Sequence, residues 1–184
     1  MAINLEKGQR VAVELPKFTI GLGWDVNNTS TGYDFDLDAS AFINGENGKI
    51  LADEYFVFYN NLQSPDESVV HTGDNLTGEG EGDDESIMVD LSKIDPRVKE
   101  IVFVVTIHKA DERRQNFGQV RNAFIRIYDS TTGAEILRYD LDEDFSIETA
   151  VEFGRIYKRN GQWKFEAIGT GQKAGLAEYL KKYN

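Results

Sequence analysis

Short segments rich in β-branched and aromatic residues, each bounded by Gly, Asn or Asp, recur along the whole 184-residue chain, and that rhythm leaves few architectures open. The segments predicted as strands are Arg10–Leu15, Phe18–Trp24, Asp34–Ile43, Tyr55–Asn60, Ser68–Thr72, Ser86–Asp90, Glu100–Ile107, Ala123–Asp129, Glu135–Tyr139, Val151–Lys158 and Gln162–Ile168. Asn44-Gly45, Asn47-Gly48, Thr132-Gly133 and Asn160-Gly161 lie between apolar segments. Asn-Gly is a strong hairpin signal, so neighbouring strands should run antiparallel. Helical spacing is clear only over Lys173–Tyr183, where Leu176, Tyr179, Leu180 and Tyr183 recur on one face. Leu91–Val98 and Asn116–Arg121 are each expected to form a turn or two. The pattern predicts an all-β chain, an antiparallel sandwich or barrel with a short C-terminal helix. With no Pro/Ser-rich linker, repeat period or composition break, residues 1–184 are expected to form a single domain.

Charge narrows the function. The chain carries 32 acids against 20 bases, a net −12, which disfavours nucleic acid and anionic membrane surfaces, both of which are bound through Lys and Arg. A chain of this length buries about 70% of its unfolded surface and needs no staples. It has no cysteine, which excludes thiolate metal sites, iron–sulfur clusters, Cys nucleophiles and disulfides. Met1 to Leu15 is charged at Glu6, Lys7, Arg10 and Glu14 and resembles no signal peptide. The longest largely apolar run, Ile101 to Ile107 with Thr106 within it, is far below the roughly 20 residues of a membrane helix. A cytoplasmic protein with no direct membrane insertion is expected.

The negative charge is local. Residues 1–92 hold 18 acids and 4 bases, a net −14, whereas residues 93–184 hold 14 acids and 16 bases, a net +2. Between Asp25 and Asp90 there are 16 acids and a single base, Lys49. An acidic tail would lack hydrophobic patterning. This stretch contains Phe35, Leu37, Phe42, Tyr55, Phe56, Val57 and Phe58, so it must lie inside the fold.

Two constellations concentrate the acids. In Asp34-Phe35-Asp36-Leu37-Asp38 acids alternate with apolar residues at the strand period, which places three carboxylates on one face and Phe35, Leu37 and Ala39 on the other. Same-face neighbours lie about 6.6 Å apart, close enough to repel unless a cation or several donors sit among them. A solvated outer face is the alternative, but Asp is a poor strand former and three in succession are costly. The second constellation runs from Asp74 to Glu85 and packs six acids and three glycines into twelve residues with no base. Hard cations such as calcium take six to eight oxygens from carboxylates and backbone carbonyls, and glycine permits the turns that aim such carbonyls. The alternative here is a flexible acidic surface loop.

Neither segment has EF-hand spacing: counted from Asp34, positions 6 and 12 are Ala39 and Gly45, and from Asp74, positions 3, 5 and 6 are Leu76, Gly78 and Glu79. A calcium site would therefore be built between strands and a loop. Asp25, which closes Gly21-Leu22-Gly23-Trp24-Asp25, is either an additional ligand or a turn residue. His71 and His108 are too few for a His-rich zinc site and are read as packed or surface histidines. Gly21-Leu22-Gly23 and Gly169-Thr170-Gly171 lack dinucleotide-fingerprint spacing. Lys109, Arg113, Arg114, Arg121 and Arg126 form either an anion site or an internal counterweight to the acidic half. Clustered carboxylates also admit a metal-assisted hydrolase acting on phosphate or glycosidic bonds, although no base lies within the acidic loop to steady an anionic substrate.

The motifs resemble those of the TerD family. They are Gly-Leu-Gly-Trp-Asp at 21–25, Asp-Phe-Asp-Leu-Asp-Ala-Ser at 34–40, Phe-Tyr-Asn-Asn at 58–61 and the 73–85 loop. Further on come Phe-Val-Val-Thr-Ile-His at 103–108, Gln-Asn-Phe-Gly-Gln-Val at 115–120, Ala-Phe-Ile-Arg at 123–126 and Trp-Lys-Phe at 163–165. The resemblance covers nearly the whole chain. It implies a bacterial β-sandwich that binds calcium and serves tellurium resistance and general stress response without catalysis. Carried over to this chain, the implied calcium ligands are Asp25, Asp34, Asp36, Asp38, Asp74, Asn75, Gly78, Gly80, Gly82, Asp84 and Glu85, the glycines acting through their carbonyls. The number of acids favours two ions over one. The implied partners are other Ter proteins, including a membrane-embedded one, which would place the chain peripherally at the inner face of the membrane. Leu76, where relatives often have Arg, and Gln172-Lys173-Ala174, in place of a more glycine-rich run, depart from the family pattern at no proposed ligand.

Overall fold

A computed structural model describes residues 3–27, 32–73, 77–78, 82–141 and 145–184. Two six-stranded sheets stack face to face. The first runs, edge to edge, β1 (Ile3–Asn4), β10 (Glu135–Asp140), β9 (Phe124–Asp129), β3 (Lys17–Gly23), β7 (Glu85–Asp90) and β6 (Val69–His71). The second runs β2 (Arg10–Ala12), β12 (Gln162–Gln172), β11 (Ala150–Arg159), β8 (Glu100–Ile107), β4 (Leu37–Asn44) and β5 (Phe56–Val57). Every pairing is antiparallel except β1 on β10. The expected all-β sandwich is therefore the fold.

The core lies between the sheets. Period-two alternation sends Phe18, Ile20 and Leu22 of β3 inward to meet Leu37, Ala39 and Ala41 of β4, all nearly inaccessible to solvent. A second apolar cluster forms on the outer face of the second sheet, where Phe42, Phe56, Val102 and Val104 are covered by Tyr179 and Tyr183. These tyrosines belong to α2 (Leu176–Tyr183), the expected C-terminal helix. Buried on both faces from Ile101 to Ile107, β8 is apolar there except at Thr106.

Several boundaries differ from expectation for local reasons. The aspartate segment becomes a strand only at Leu37, because its partner β8 ends at Ile107, opposite Leu37. Upstream, the Asp36 carbonyl accepts the His108 amide (2.8 Å), and Gln115 Nε2 donates to the carbonyls of Tyr33 and Asp34 (3.1 Å each). Helix α2 starts three residues late: Thr149 Oγ1 holds Ala174 through both amide and carbonyl, and Glu178 reaches back to the Gly175 amide (2.9 Å). Leu91–Val98 forms turns and no helix, since Pro96 restricts Asp95 and the Asp95 amide is taken by Asp66 Oδ2 (2.8 Å). The unexpected helix α1 (Ala110–Arg113) is a single turn between Lys109 and Arg114, both left-handed, and four residues carry no readable periodicity.

Candidate functional site

Asp83, Asp84 and Gly78, described residues of the 73–85 segment, rest on β3 and on Trp24 just beyond it. On the outer face of the first sheet Gly21 stands beside Arg126, its cross-strand neighbour on β9. Asp83 lies directly over Gly21: a Cβ there would sit 2.3 Å from the carboxylate carbon. Arg126 clamps that carboxylate bidentately, Nε at 2.7 Å and Nη2 at 3.0 Å. One residue beyond the strand, Trp24 donates its amide to Asp84 Oδ2 (2.9 Å) and its indole Nε1 to the Phe35 carbonyl (2.9 Å). Gly78, at φ +72°, turns against the same indole so closely that a Cβ would lie 2.4 Å from Nε1. The Gly-Leu-Gly-Trp sequence thus receives Gly78, Asp83 and Asp84, with Leu22 anchored in the core.

The remaining acids are held from two further directions. Glu85, the first residue of β7, faces inward and is 1% exposed. Its Oε2 accepts the Ala39 amide of β4 (2.8 Å) and lies 3.4 Å from Nε2 of His71. Asp36 and Asp38, each 4% exposed, turn away from the core side taken by Phe35, Leu37 and Ala39. They are met by the segment after β8: Arg113 Nη1 is 3.7 Å from Asp36 Oδ2 and His108 Nδ1 is 3.7 Å from Asp38 Oδ2. Asn122 Nδ2 donates to Asp25 Oδ2 (2.6 Å), and the Asp25 amide donates to the Arg121 carbonyl (3.0 Å). Burial pushes the Asp84 carboxyl above the ordinary carboxylate range, Asp83 and Asp25 push it the same way, and the Trp24 amide opposes them.

The carboxylates therefore form two sets, Asp36 with Asp38 and Asp84 with Asp83 and Asp25, with Glu85 between the sheets. Asp25 and Asp34 are exposed, so the expected three-carboxylate face keeps only Asp36 and Asp38 buried. Gly78 and Gly82 lie in the described part of the loop, and Asp74, Asn75 and Gly80 lie outside the described residues. Among the described residues, no three His, Asp or Glu side chains form a group able to hold a metal by themselves. Sequence reading left Asp83 unassigned, and its signal was the glycine sixty-two residues earlier. It also treated the histidines as bystanders, whereas each lies against a buried acid. Of the two readings of the basic cluster, the counterweight holds for Arg113 and Arg126.

Residues 1–183 match the TerD domain. The chain belongs to the TerD family. Among TerD relatives, it is 52% identical over 188 residues to general stress protein 16U of Bacillus subtilis, covering 100% of this chain and 97% of that one. To the tellurium resistance protein TerD of Serratia marcescens it is 51% identical over 188 residues, with the same coverage. The crystal structure of a homologue of telluride resistance protein from Streptomyces coelicolor shares the TerD fold, with a TM-score of 0.76 at 20% identity over 90% of this chain and 95% of that one. The family is one of resistance and stress-response proteins. No helix among the described residues is long and apolar enough to cross a membrane.

Proposed function

We propose that this TerD-family chain is a calcium-binding, non-enzymatic stress-response protein that takes two Ca2+ ions between its aspartate segment and its Gly/acid-rich loop and acts through protein partners. The observation that carries the reading is the burial of Asp36, Asp38 and Glu85, contributed by both sheets, at the end where the acidic loop is rooted. Buried carboxylates need compensation, and a bound cation would add to that already given by His71, His108 and Arg113 at 3.4–3.7 Å and by the Ala39 amide on Glu85. The donor chemistry fits a hard cation: carboxylates and the carbonyls of a glycine-punctuated loop are oxygen ligands, and thiolates are absent. When bound, the ion supplies positive charge that neutralises these acids and orders the loop. Asp36, Asp38, Asp84 and Glu85 would hold it from within, and Asp25, Asp34 and the loop residues from the rim. A hydrolase would need a base within the acidic loop to steady an anionic substrate, and residues 74–85 include no Lys or Arg. The same reading places the chain in the cytoplasm, reaching the membrane only through partners of the tellurium-resistance system.

Calcium titration of the chelator-stripped full-length chain tests this, with magnesium as control. Trp24, bonded to Asp84 and in contact with Gly78, provides a fluorescence signal from the loop itself. Binding should give heat, a change in Trp24 emission and a rise in melting temperature, equivalent to about 2.7 kcal/mol when calcium is at a hundred times its Kd. Absence of all three overturns the reading.

A further inference from the structure

One side chain lies between the two roots of the acidic loop, bonded to one and in contact with the other. His71 closes β6 just before the loop begins, and its imidazole is wholly buried. Nδ1 accepts the backbone N–H of Gly73 at 3.1 Å. A neutral imidazole has one acceptor and one donor nitrogen, so this bond places the ring proton on Nε2. Nε2 then points at Glu85 Oε2, 3.4 Å away, and has no hydrogen-bond partner. Glu85 is the opposite root of the loop, and the same oxygen accepts the amide of Ala39, the residue after Asp38.

We propose that His71 is the positioning residue of the cation site, tying the Gly73 and Glu85 roots of the acidic loop to each other and to the aspartate segment. The inference rests on the calcium reading above. The buried His71 and Glu85 side chains stand between the Gly73 amide in the first sheet's loop and the Ala39 amide in the second sheet, with a 3.4 Å contact between them. Holding Gly73 and Glu85 in place before an ion binds lowers the entropy that binding must overcome at those two positions. His71 is not itself a ligand: with Nδ1 accepting and Nε2 protonated, the ring has no lone pair to give, and hard cations favour oxygen. It acts as an outer partner that orients a ligating carboxylate, a role whose loss costs about 10- to 100-fold in metal affinity. The Asp83–Arg126 clamp cannot substitute, because it fixes the loop only to the outer face of the first sheet.

Two substitutions separate the two nitrogens. His71→Gln supplies an N–H near the position of Nε2, within reach of Glu85, and His71→Asn supplies an acceptor near Nδ1 but cannot reach Glu85. Calorimetric calcium titration of the stripped full-length proteins should find His71→Gln close to wild type and His71→Asn weaker by about tenfold or more. A merely structural role would instead weaken both alike. Nitrogen-15 spectra of the wild-type imidazoles need no variant and should show His71 as the Nε2–H tautomer. An Nδ1–H tautomer, or wild-type calcium affinity in His71→Asn, overturns the assignment while leaving the calcium reading intact. A wild-type chain that binds no calcium overturns both.

Discussion

Gly21 supports the acidic loop by lacking a side chain. Replacing it with Ala would drive a methyl group into the Asp83 carboxylate, flanked by the backbone of β3 on one side and held by Arg126 on the other. Gly21→Ala should therefore release the loop, lower stability by about 1–3 kcal/mol and lower the melting temperature in chelator. An unchanged melting curve would mean that Asp83 moves aside without loss. The ligand assignments are tested by Asp36→Asn and Asp84→Asn, which keep shape and remove charge. Each should weaken calcium binding severalfold or more in the same titration, and unchanged affinity in both would remove them from the ligand set. The Gly-x-Gly spacing was readable as something other than a nucleotide cradle. Its use was not, because the group that fills the gap lies far along the chain, in a segment whose acids look equivalent in sequence.

Elements set by local chemistry were the most legible. The turn between β11 and β12 has Asn160 at φ +52° and Gly161 at φ +78°, the pair of left-handed residues that a two-residue hairpin demands and that Asn-Gly supplies. Strand β8 matches its expected bounds because Ile101 to Val105 are apolar without interruption. Helix α2 was legible from its spacing, but its purpose depends on β4 and β8, whose outward residues Phe42, Val102 and Val104 would otherwise be exposed. Tyr179, 1% exposed, lies 6.4 Å from Phe42 between ring centroids. Tyr179→Ala should cost about 3–5 kcal/mol, as large core truncations do, read by chemical denaturation. A loss below about 1 kcal/mol would show that the helix contributes little to holding the sandwich together.

The net −12 is distributed by folding in a way that the linear charge map only hints at. Bases of the second half meet acids of the first: Arg113 meets Asp36, Arg126 meets Asp83 and His108 meets Asp38. Away from the candidate site, other carboxylates are held in ionised form. Burial opposes ionisation of Asp66, but hydrogen bonds from Ser64, the Asp95 amide and Ser68 outweigh it and hold its carboxyl below the usual range. The Arg97 side chain and amide hold Asp95 well below it, and Glu166 is likewise lowered, burial being outweighed by Arg10 and Arg155. A carboxylate depressed in the folded state contributes stability that is complete above its unfolded pKa, about 4, and is lost as pH falls through the folded value. Melting temperature in chelator should therefore fall steadily below about pH 4. A flat profile down to about pH 3 would show that these networks add nothing to stability.

The all-β class, the hairpins, the C-terminal helix and the two acidic segments follow from sequence alone, because alternation, helical spacing and turn chemistry act over a few residues. Sheet order does not: β4 lies beside β8 and β3 beside β9, with 55 and 100 residues of chain between them. Where the aspartate strand begins, which acid covers Gly21, and that His71 faces Glu85 all depend on such distant neighbours. Each is set by which groups remain to satisfy a buried amide, carboxylate or ring once the sheets have closed, and that condition exists only in three dimensions.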